Sequence, residues 1–194
     1  MILPMGPVHV DAVTRLHSKA LRGLLSELGV PATRAYYTGC MRSPEAIGLV
    51  AVEDGAVRGF VLGAVDPQRL KREVLLRNPV GTAGALAIAA ITRPSSMVWL
   101  MRSTRGPDEG TYDHRAAELI YLAVDVERRT SGLGKSLVDA FTRAMREAGV
   151  SSFQLSVDED NHQAIRFYEA QRFEMIGRYR EFGVLHRRYK LVWT

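Results

Sequence analysis

Apolar residues recur at helical spacing in the first part of the chain. From Asp11 to Leu28 they fall three and four positions apart, which places them on one face of an amphipathic helix. Gly29 is a suitable residue to end that helix, and Pro31 prevents its continuation. A second, shorter helix is predicted from about Ala32 to Cys40.

The next apolar runs have the length and flanking residues of strands. Ile47–Val52 and Val57–Ala64 lie on either side of Glu53-Asp54-Gly55, and an Asp-Gly pair between apolar runs strongly indicates a β-hairpin. The run Ala117–Val124 is nearly continuous in apolar residues, which is typical of a strand covered on both faces. Three strands are therefore predicted before the C-terminal third of the chain.

Helix and strand then alternate to the end of the chain. The pattern predicts a helix over Gly132–Ala148, a strand over Ser152–Val157, a short helix over about Asn161–Ala170, and a hairpin of strands near Phe173–Tyr179 and up to Trp193. This order of elements predicts a mixed α/β sheet.

The stretch from Pro67 to Gly110 differs from its surroundings. Pro67–Arg77 and the Ala-rich Val80–Ile91 have helical patterns, and Pro94 interrupts the helical pattern beyond them. Most of its charged residues are basic: Arg69, Lys71, Arg72, Arg77, Arg93, Arg102 and Arg105. A large part of the chain's excess positive charge therefore lies here.

Composition excludes several classes of protein. A length of 194 residues favours one domain over 1–194, and 46 % apolar with 24 % charged residues is typical of a globular chain rather than a disordered or fibrous one. The single cysteine, Cys40, cannot form an intrachain disulfide, which favours a reducing, cytoplasmic location. The N-terminus lacks the basic region of a signal peptide, and Pro79–Ile91 is too short to span a bilayer, so no membrane partner is expected.

The net charge of +5 favours an anionic partner, although a solvated surface that is merely basic has the same charge. No block of consecutive basic residues resembles a nucleic-acid-binding arm, so nucleic acid is not expected as that partner. The five histidines show no pair at helical i, i+4 spacing and no cysteine partner, so no metal site is predicted.

A glycine-containing loop joins the third predicted strand to the long helix. A helix N-terminus at this place offers unpaired N–H groups and a positive dipole end, which favour a phosphate, although the glycines could instead only form a tight turn. Arg129 stands where a P-loop needs glycine, and Leu137 stands where the dinucleotide fingerprint needs its third glycine. The pattern Arg-x-x-Gly-x-Gly fits without departure, from Arg129, Gly132 and Gly134.

This loop, the preceding strand Glu118–Val124 and the segment Asn161–Glu169 resemble the Gcn5-related N-acetyltransferase (GNAT) family. The later segment is similar to the family's Asn-x-x-Ala-x-x-Phe-Tyr, although Arg172 stands where the family commonly has glycine before Phe173. The resemblance implies the GNAT fold, acetyl-CoA as cofactor, and transfer of an acetyl group to a primary amine. Since the family usually has a short connection at Pro67–His114, we interpret that stretch as a helical insertion between the third and fourth strands of the family's fold, which correspond here to Val57–Ala64 and Glu118–Val124.

The resemblance also implies a cofactor site. Backbone N–H groups of the loop would bind the pyrophosphate, and the central strand would pair with the pantetheine arm. Asn161 has an alternative role as the cap of its own helix. The implied cofactor-binding residues are Leu122, Ala123, Val124, Arg129, Thr130, Ser131, Gly132, Leu133, Gly134, Lys135, Ser136, Asn161, Ala164 and Phe167.

Two residues are candidates for proton transfer. The resemblance implies that Tyr168 donates to the departing thiolate, because a phenol and a thiolate have similar basicity. Glu118 matches a strand glutamate that serves as general base in some members, whereas other members use chains of water molecules.

The acceptor is not specified by these motifs. The basic charge favours a small-molecule amine with an anionic part, such as an amino sugar linked to a nucleotide, while a protein N-terminus or lysine stays open. The segment Pro67–Arg105 is interpreted either as a lid over the acceptor or as a surface for homodimer formation. A non-catalytic acyl-CoA-binding module on the same fold is the alternative function.

Overall fold

The structure is a computed structural model that describes residues 1–92, 115–128, 132–181 and 183–193. Its helices are α1 (Val10–Ala20), α2 (Leu24–Leu28), α3 (Val30–Cys40), α4 (Pro67–Arg77), α5 (Pro79–Thr92), α6 (Leu133–Glu147) and α7 (His162–Glu169). Its strands are β1 (Ile2–Pro4), β2 (Ala46–Glu53), β3 (Ala56–Ala64), β4 (Glu118–Val124), β5 (Ser152–Asp158), β6 (Glu174–Glu181) and β7 (Val184–Val192).

The strands form one mixed sheet in the order β1-β2-β3-β4-β5-β7-β6. Every neighbouring pair is antiparallel except β4 and β5, which are parallel. The mixed α/β fold is confirmed. The strand β1 and the position of β7 between β5 and β6 were not among the sequence predictions.

The predicted helix over residues 11–28 is wrong in one respect, because it is two helices. Leu21 has extended backbone (φ −115°, ψ 147°), and Gly23 has φ 116°, a region that favours glycine. The Ser26 hydroxyl donates a hydrogen bond to the Leu21 carbonyl at 2.9 Å across this break. Helical spacing of the leucines on both sides hides the break in the sequence.

The predicted hairpin is confirmed as β2 and β3. Asp54 (φ 50°) and Gly55 (φ 72°) both adopt positive φ, as a two-residue hairpin turn with the twist of its strands requires. α4 and α5 follow β3, where two helices were predicted. Their status as an insertion relative to the family stays a prediction, and residues 93–114 lie outside the described part of the chain.

Helices cover the two faces of the sheet. Val61 of β3 packs in a cluster with Leu137 and Phe141 of α6, whereas its neighbours Phe60 and Leu62 pack in a second cluster with residues of α1, α3 and α4. Alternating side chains of one strand thus serve opposite faces. α6 and α7 lie on the first face, and α1, α3 and α4 lie on the second.

A β-bulge in β4 shapes the centre of the sheet. Leu62 pairs with Tyr121 and Gly63 pairs with Leu119, so Ile120 is the extra residue. On its other edge β4 pairs with β5 only through Glu118 and Gln154 in the described residues. A bulge bends its strand, and the two strands separate toward their carboxyl ends. We call the opening between 122–124 of β4 and 156–158 of β5 the strand fork.

The described residues contain no single helix that could cross a membrane and no candidate metal-binding group. No single helix there is long and apolar enough to cross a membrane, and α4 and α5 reach that length and composition only as a pair bent by 89°. The same residues contain no group of three or more histidine, cysteine, aspartate or glutamate side chains placed to hold a metal ion.

His17 on α1 is expected to make stability depend on pH. It is fully buried, its Nδ1 lies 2.8 Å from the Tyr37 hydroxyl, and burial lowers its pKa to about 4. In the unfolded chain His17 therefore binds a proton below about pH 6.5, whereas in the folded protein it binds one only below about pH 4. We expect the free energy of unfolding to fall by about 2 kcal/mol between pH 7.5 and pH 5 through this residue.

Urea unfolding of the wild type and of His17→Gln at both pH values measures that contribution. The variant is less stable at neutral pH but lacks this part of the pH dependence. Equal pH dependence in the two proteins contradicts the assignment.

Candidate active site

The first turn of α6 has no side-chain cap in the described residues, so its backbone N–H groups can bind an anion. Gly132 precedes this turn with φ 80°, in the left-handed region. The Ser136 N–H donates to the Gly132 carbonyl at 3.0 Å, which closes the first helical hydrogen bond. The N–H groups of residues 133–135 precede that bond, and no acceptor among the described residues takes them, so they are candidates to bind a ligand. Arg129, Thr130 and Ser131 lie outside the described residues.

Three of the predicted cofactor residues converge at Gly134. A Cβ atom built there would lie 3.3 Å from the Phe167 ring and 3.8 Å from Cγ2 of Val124. The start of α6, the end of β4 and the middle of α7 therefore meet at this glycine. Packing also favours glycine at position 134, because the Phe167 ring leaves little room for a larger residue.

One edge of β4 faces the strand fork. Leu122, Ala123 and Val124 pair with β3 on one side, but no described residue of β5 pairs with them on the other. The Leu122 and Val124 side chains pack with the α6 face, and Ala123 is buried with the opposite face. Backbone groups on the open edge can therefore pair with an extended, amide-bearing ligand.

Asn161 caps α7. Its Oδ1 accepts a hydrogen bond from the Ala164 N–H at 3.1 Å, which is the capping alternative of its two predicted roles. Its role as a ligand stays a prediction. Arg172, where the family commonly has glycine, adopts φ 65°, so the turn keeps the left-handed backbone despite the substitution.

Tyr168 is buried next to the convergence point. It is 7 % exposed, and its ring centroid lies 5.1 Å from that of Phe167 and 5.3 Å from that of Phe173. Burial raises the pKa of the Tyr168 phenol well above its ordinary value. The hydroxyl therefore stays protonated at neutral pH and can donate.

Glu118 belongs to a buried polar cluster that the sequence prediction missed. Nη1 of Arg188 on β7 donates to Oε1 of Glu118 at 2.8 Å, and Nε of Arg188 donates to Oε1 of Gln154 at 3.1 Å. Nη1 of Arg188 and the Tyr179 hydroxyl both donate to Oγ of Ser156. Arg188 is only 2 % exposed. Adjacent arginines in a strand are typical of a solvated surface, so no sequence pattern indicated this burial.

Comparison with known families agrees with this geometry. The family model described as the acetyltransferase (GNAT) family matches residues 10–173. The chain belongs to the GNAT family. The resemblance to that family in the loop and in the Asn161–Glu169 segment is therefore confirmed.

Known proteins similar to this chain differ in their sequence identity to it and in how much of it they cover. The GNAT chain is 43 % identical over 58 residues to the mycothiol acetyltransferase of Nocardiopsis dassonvillei, an alignment that spans 30 % of this chain and only 18 % of that relative. Two solved structures share the fold. Ard1 from Thermoplasma volcanium has a TM-score of 0.62 at 19 % identity, with 100 % of this chain and 97 % of that chain covered. The ribosomal-protein-S18-alanine N-acetyltransferase from Escherichia coli has a TM-score of 0.62 at 13 % identity, with 99 % and 92 % covered.

Proposed function

We propose that this GNAT chain uses acetyl-CoA to acetylate a primary amine of a small molecule. The observation that carries the proposal is the meeting of the uncapped α6 N-terminus, the open edge of β4 and Phe167 of α7 at one glycine, Gly134. The ring of Tyr168 packs against that of Phe167. Acetyl-CoA, when bound, supplies an acetyl group activated as a thioester.

Backbone groups would hold the cofactor. The N–H groups of residues 133–135 and the positive end of α6 would bind its pyrophosphate. Ser136 is a less suitable contact, because its hydroxyl donates to the Gly132 carbonyl at 3.2 Å. The open edge of Leu122–Val124 would pair with the pantetheine amides, and an N–H there would polarise the thioester oxygen.

Two side chains would take part in proton transfer. The neutral amine nitrogen would form a bond to the acetyl carbon as the carbon–sulfur bond breaks, and the Tyr168 hydroxyl would donate its proton to the departing sulfur. The proton that the nitrogen loses when the amide forms would then return to the Tyr168 oxygen. The ammonium first loses one proton, and Glu118 is the proposed acceptor. Glu118 lies four residues from Leu122 along β4, roughly 13 Å of strand, and farther from Val124, so that proton would pass through water.

A small-molecule acceptor is supported by the relative named mycothiol acetyltransferase and by the basic charge of the chain. Exposed Lys71 and Arg72 on α4 contribute to this charge, which favours an acceptor with an anionic part. A screen in which only polyamines or aminoglycosides react contradicts the preference for an anionic part.

Self-association is a separate proposal for the helices that follow β3. Leu76 is 73 % exposed on α4, and Val80 and Ile91 are 84 % and 83 % exposed on α5. Exposed aliphatic side chains on consecutive helices favour the homodimer alternative. Sedimentation of the wild type and of Val80→Asp would test it, with a monomeric wild type as the contradicting result.

Gly134→Val is expected to raise the Kd for acetyl-CoA at least about 10-fold, a loss of ~1.4 kcal/mol. A Cβ at this position already lies 3.3 Å from Phe167, so a branched side chain displaces that ring or projects toward the N–H groups of the first turn. Isothermal calorimetry measures the change. Gly149→Ala, at the other end of α6 (φ 79°, open space around it), is the control that strains the backbone without touching the site. Equal affinity in both variants contradicts the cofactor site.

A further inference from the structure

A buried polar cluster lies at the base of the strand fork. Glu118 and Gln154 form the single pair between β4 and β5 in the described residues, and the Gln154 N–H donates to the Ala117 carbonyl at 2.8 Å. Arg188 of β7 reaches both of their side chains. Charged and polar groups therefore meet where the two central strands part.

This cluster lies on the sheet face opposite α6 and α7. Gln154 and Ser156 alternate along β5 with Phe153, Leu155 and Val157, which are buried in the α6 cluster. Arg188 likewise alternates with Tyr189 of that cluster. Alternate residues of a strand point to opposite faces, so the proposed cofactor site and the polar cluster reach the fork from different sides.

The Arg188 guanidinium is held in one orientation. At 2 % exposure, its charge needs a counter-charge and hydrogen-bond acceptors within the fold. The Glu118 carboxylate supplies the charge, and the Gln154 amide and the Ser156 hydroxyl supply acceptors. A planar guanidinium bonded at Nε and Nη1 cannot rotate without breaking these contacts together.

We propose that Arg188 is a positioning residue that holds the Glu118 carboxylate at the base of the strand fork. The inference rests on the proposed function, in which Glu118 accepts the proton of the acceptor amine through water. The ammonium nitrogen gives up one proton, the carboxylate becomes a carboxylic acid, and the proton then returns to solvent. Arg188 keeps its charge throughout and takes no proton, because a guanidinium stays protonated in proteins.

A double-mutant cycle tests the coupling in the full chain. With an amine that the wild type acetylates, we expect Glu118→Gln and Arg188→Met each to lower kcat at least about 10-fold. The KM for acetyl-CoA should stay within about two-fold, and the double variant should stay within about three-fold of Glu118→Gln, since residues that act as one unit are not additive. A purely structural arginine gives independent, multiplicative effects on kcat.

Lys190→Met is the matched control. Lys190 lies two residues farther along β7 on the same face, opposite Gln154, and no hydrogen bond or ion pair in the described residues joins it to Glu118. We expect this variant to keep the wild-type kcat. Arg188→Lys retains the charge without the planar fork, so kcat should fall with a smaller change in melting temperature than in Arg188→Met.

Thermal unfolding gives a readout that needs no acceptor. Arg188→Met leaves a buried carboxylate without its partner and should lower the melting temperature by roughly 10 °C. Adding Glu118→Gln to Arg188→Met should restore part of the lost melting temperature. If Arg188→Met alone folds poorly, the higher melting temperature of the double variant still tests the pairing. Failure of the wild type to acetylate any amine contradicts the proposed function. Wild-type kcat in Arg188→Met, or multiplicative effects in an active enzyme, contradicts the positioning role alone.

Discussion

Gly63→Ala is expected to destabilise the protein by at least about 3 kcal/mol, at the upper end of what overpacking costs. A Cβ atom at Gly63 would lie 2.3 Å from the Glu118 carbonyl oxygen and 2.3 Å from Cζ of Phe141. Neither neighbour can move aside at a small cost in free energy, because one is backbone of the central strand and the other is a fully buried ring of α6. The clash is next to the bulge at Ile120, so the strand fork should be distorted together with the core.

Gly84→Ala is the control for this prediction. Gly84 lies within α5, and among the described residues no atom outside its own helix comes within 4 Å of a Cβ built there. Alanine has the higher helix propensity, so this variant should gain about 0.5–1 kcal/mol. Urea unfolding of both variants measures the difference. Equal stability of Gly63→Ala and the wild type contradicts the close packing of α6 on β3 and β4.

Tyr168→Phe is expected to lower kcat by roughly 100-fold while leaving the Kd for acetyl-CoA within about two-fold. The substitution removes only the hydroxyl, and burial keeps that hydroxyl protonated and able to donate to the departing sulfur. The ring contacts with Phe167 and Phe173 do not depend on the oxygen. Single-turnover rates and calorimetric binding separate the two effects.

Tyr189→Phe provides the matched comparison. Tyr189 is a fully buried tyrosine of the same cluster, but its hydroxyl donates to the Glu169 carboxylate at 2.8 Å. Its loss should cost about 1 kcal/mol of stability and leave kcat near the wild-type value. Equal losses of kcat in the two variants contradict a specific role of the Tyr168 hydroxyl.

Long periodic elements were predictable from the sequence. The hairpin at Asp54-Gly55 and helix α6 follow from turn chemistry and from helical spacing, and the structure contains both. The family resemblance also placed Val124, Gly134 and Phe167 in one site, and these residues are in contact distance. The hairpin and α6 were predictable because local chemistry and tertiary packing favour the same arrangement. The role of Val124, Gly134 and Phe167 in a cofactor site stays a prediction.

Features set by long-range pairing were not predictable. β4 is apolar at nearly every position, so its sequence carries no alternation from which the bulge at Ile120 or the register could be read. Arg188 lies in a strand with charged residues on both faces, and only the position of β7 beside β5 buries it. The break at Gly23 was missed because leucines continue the helical spacing beyond it.

Release of free thiol from acetyl-CoA, measured with and without a panel of amines, tests the central claim most directly. The panel should contain amino sugars with and without a phosphate group, acidic amino compounds, polyamines and an N-terminal peptide. The account predicts acceptor-dependent release by the wild type and release roughly 100-fold slower in Tyr168→Phe. Binding of acetyl-CoA without release in the presence of any amine would contradict it and favour a non-catalytic acyl-CoA-binding module.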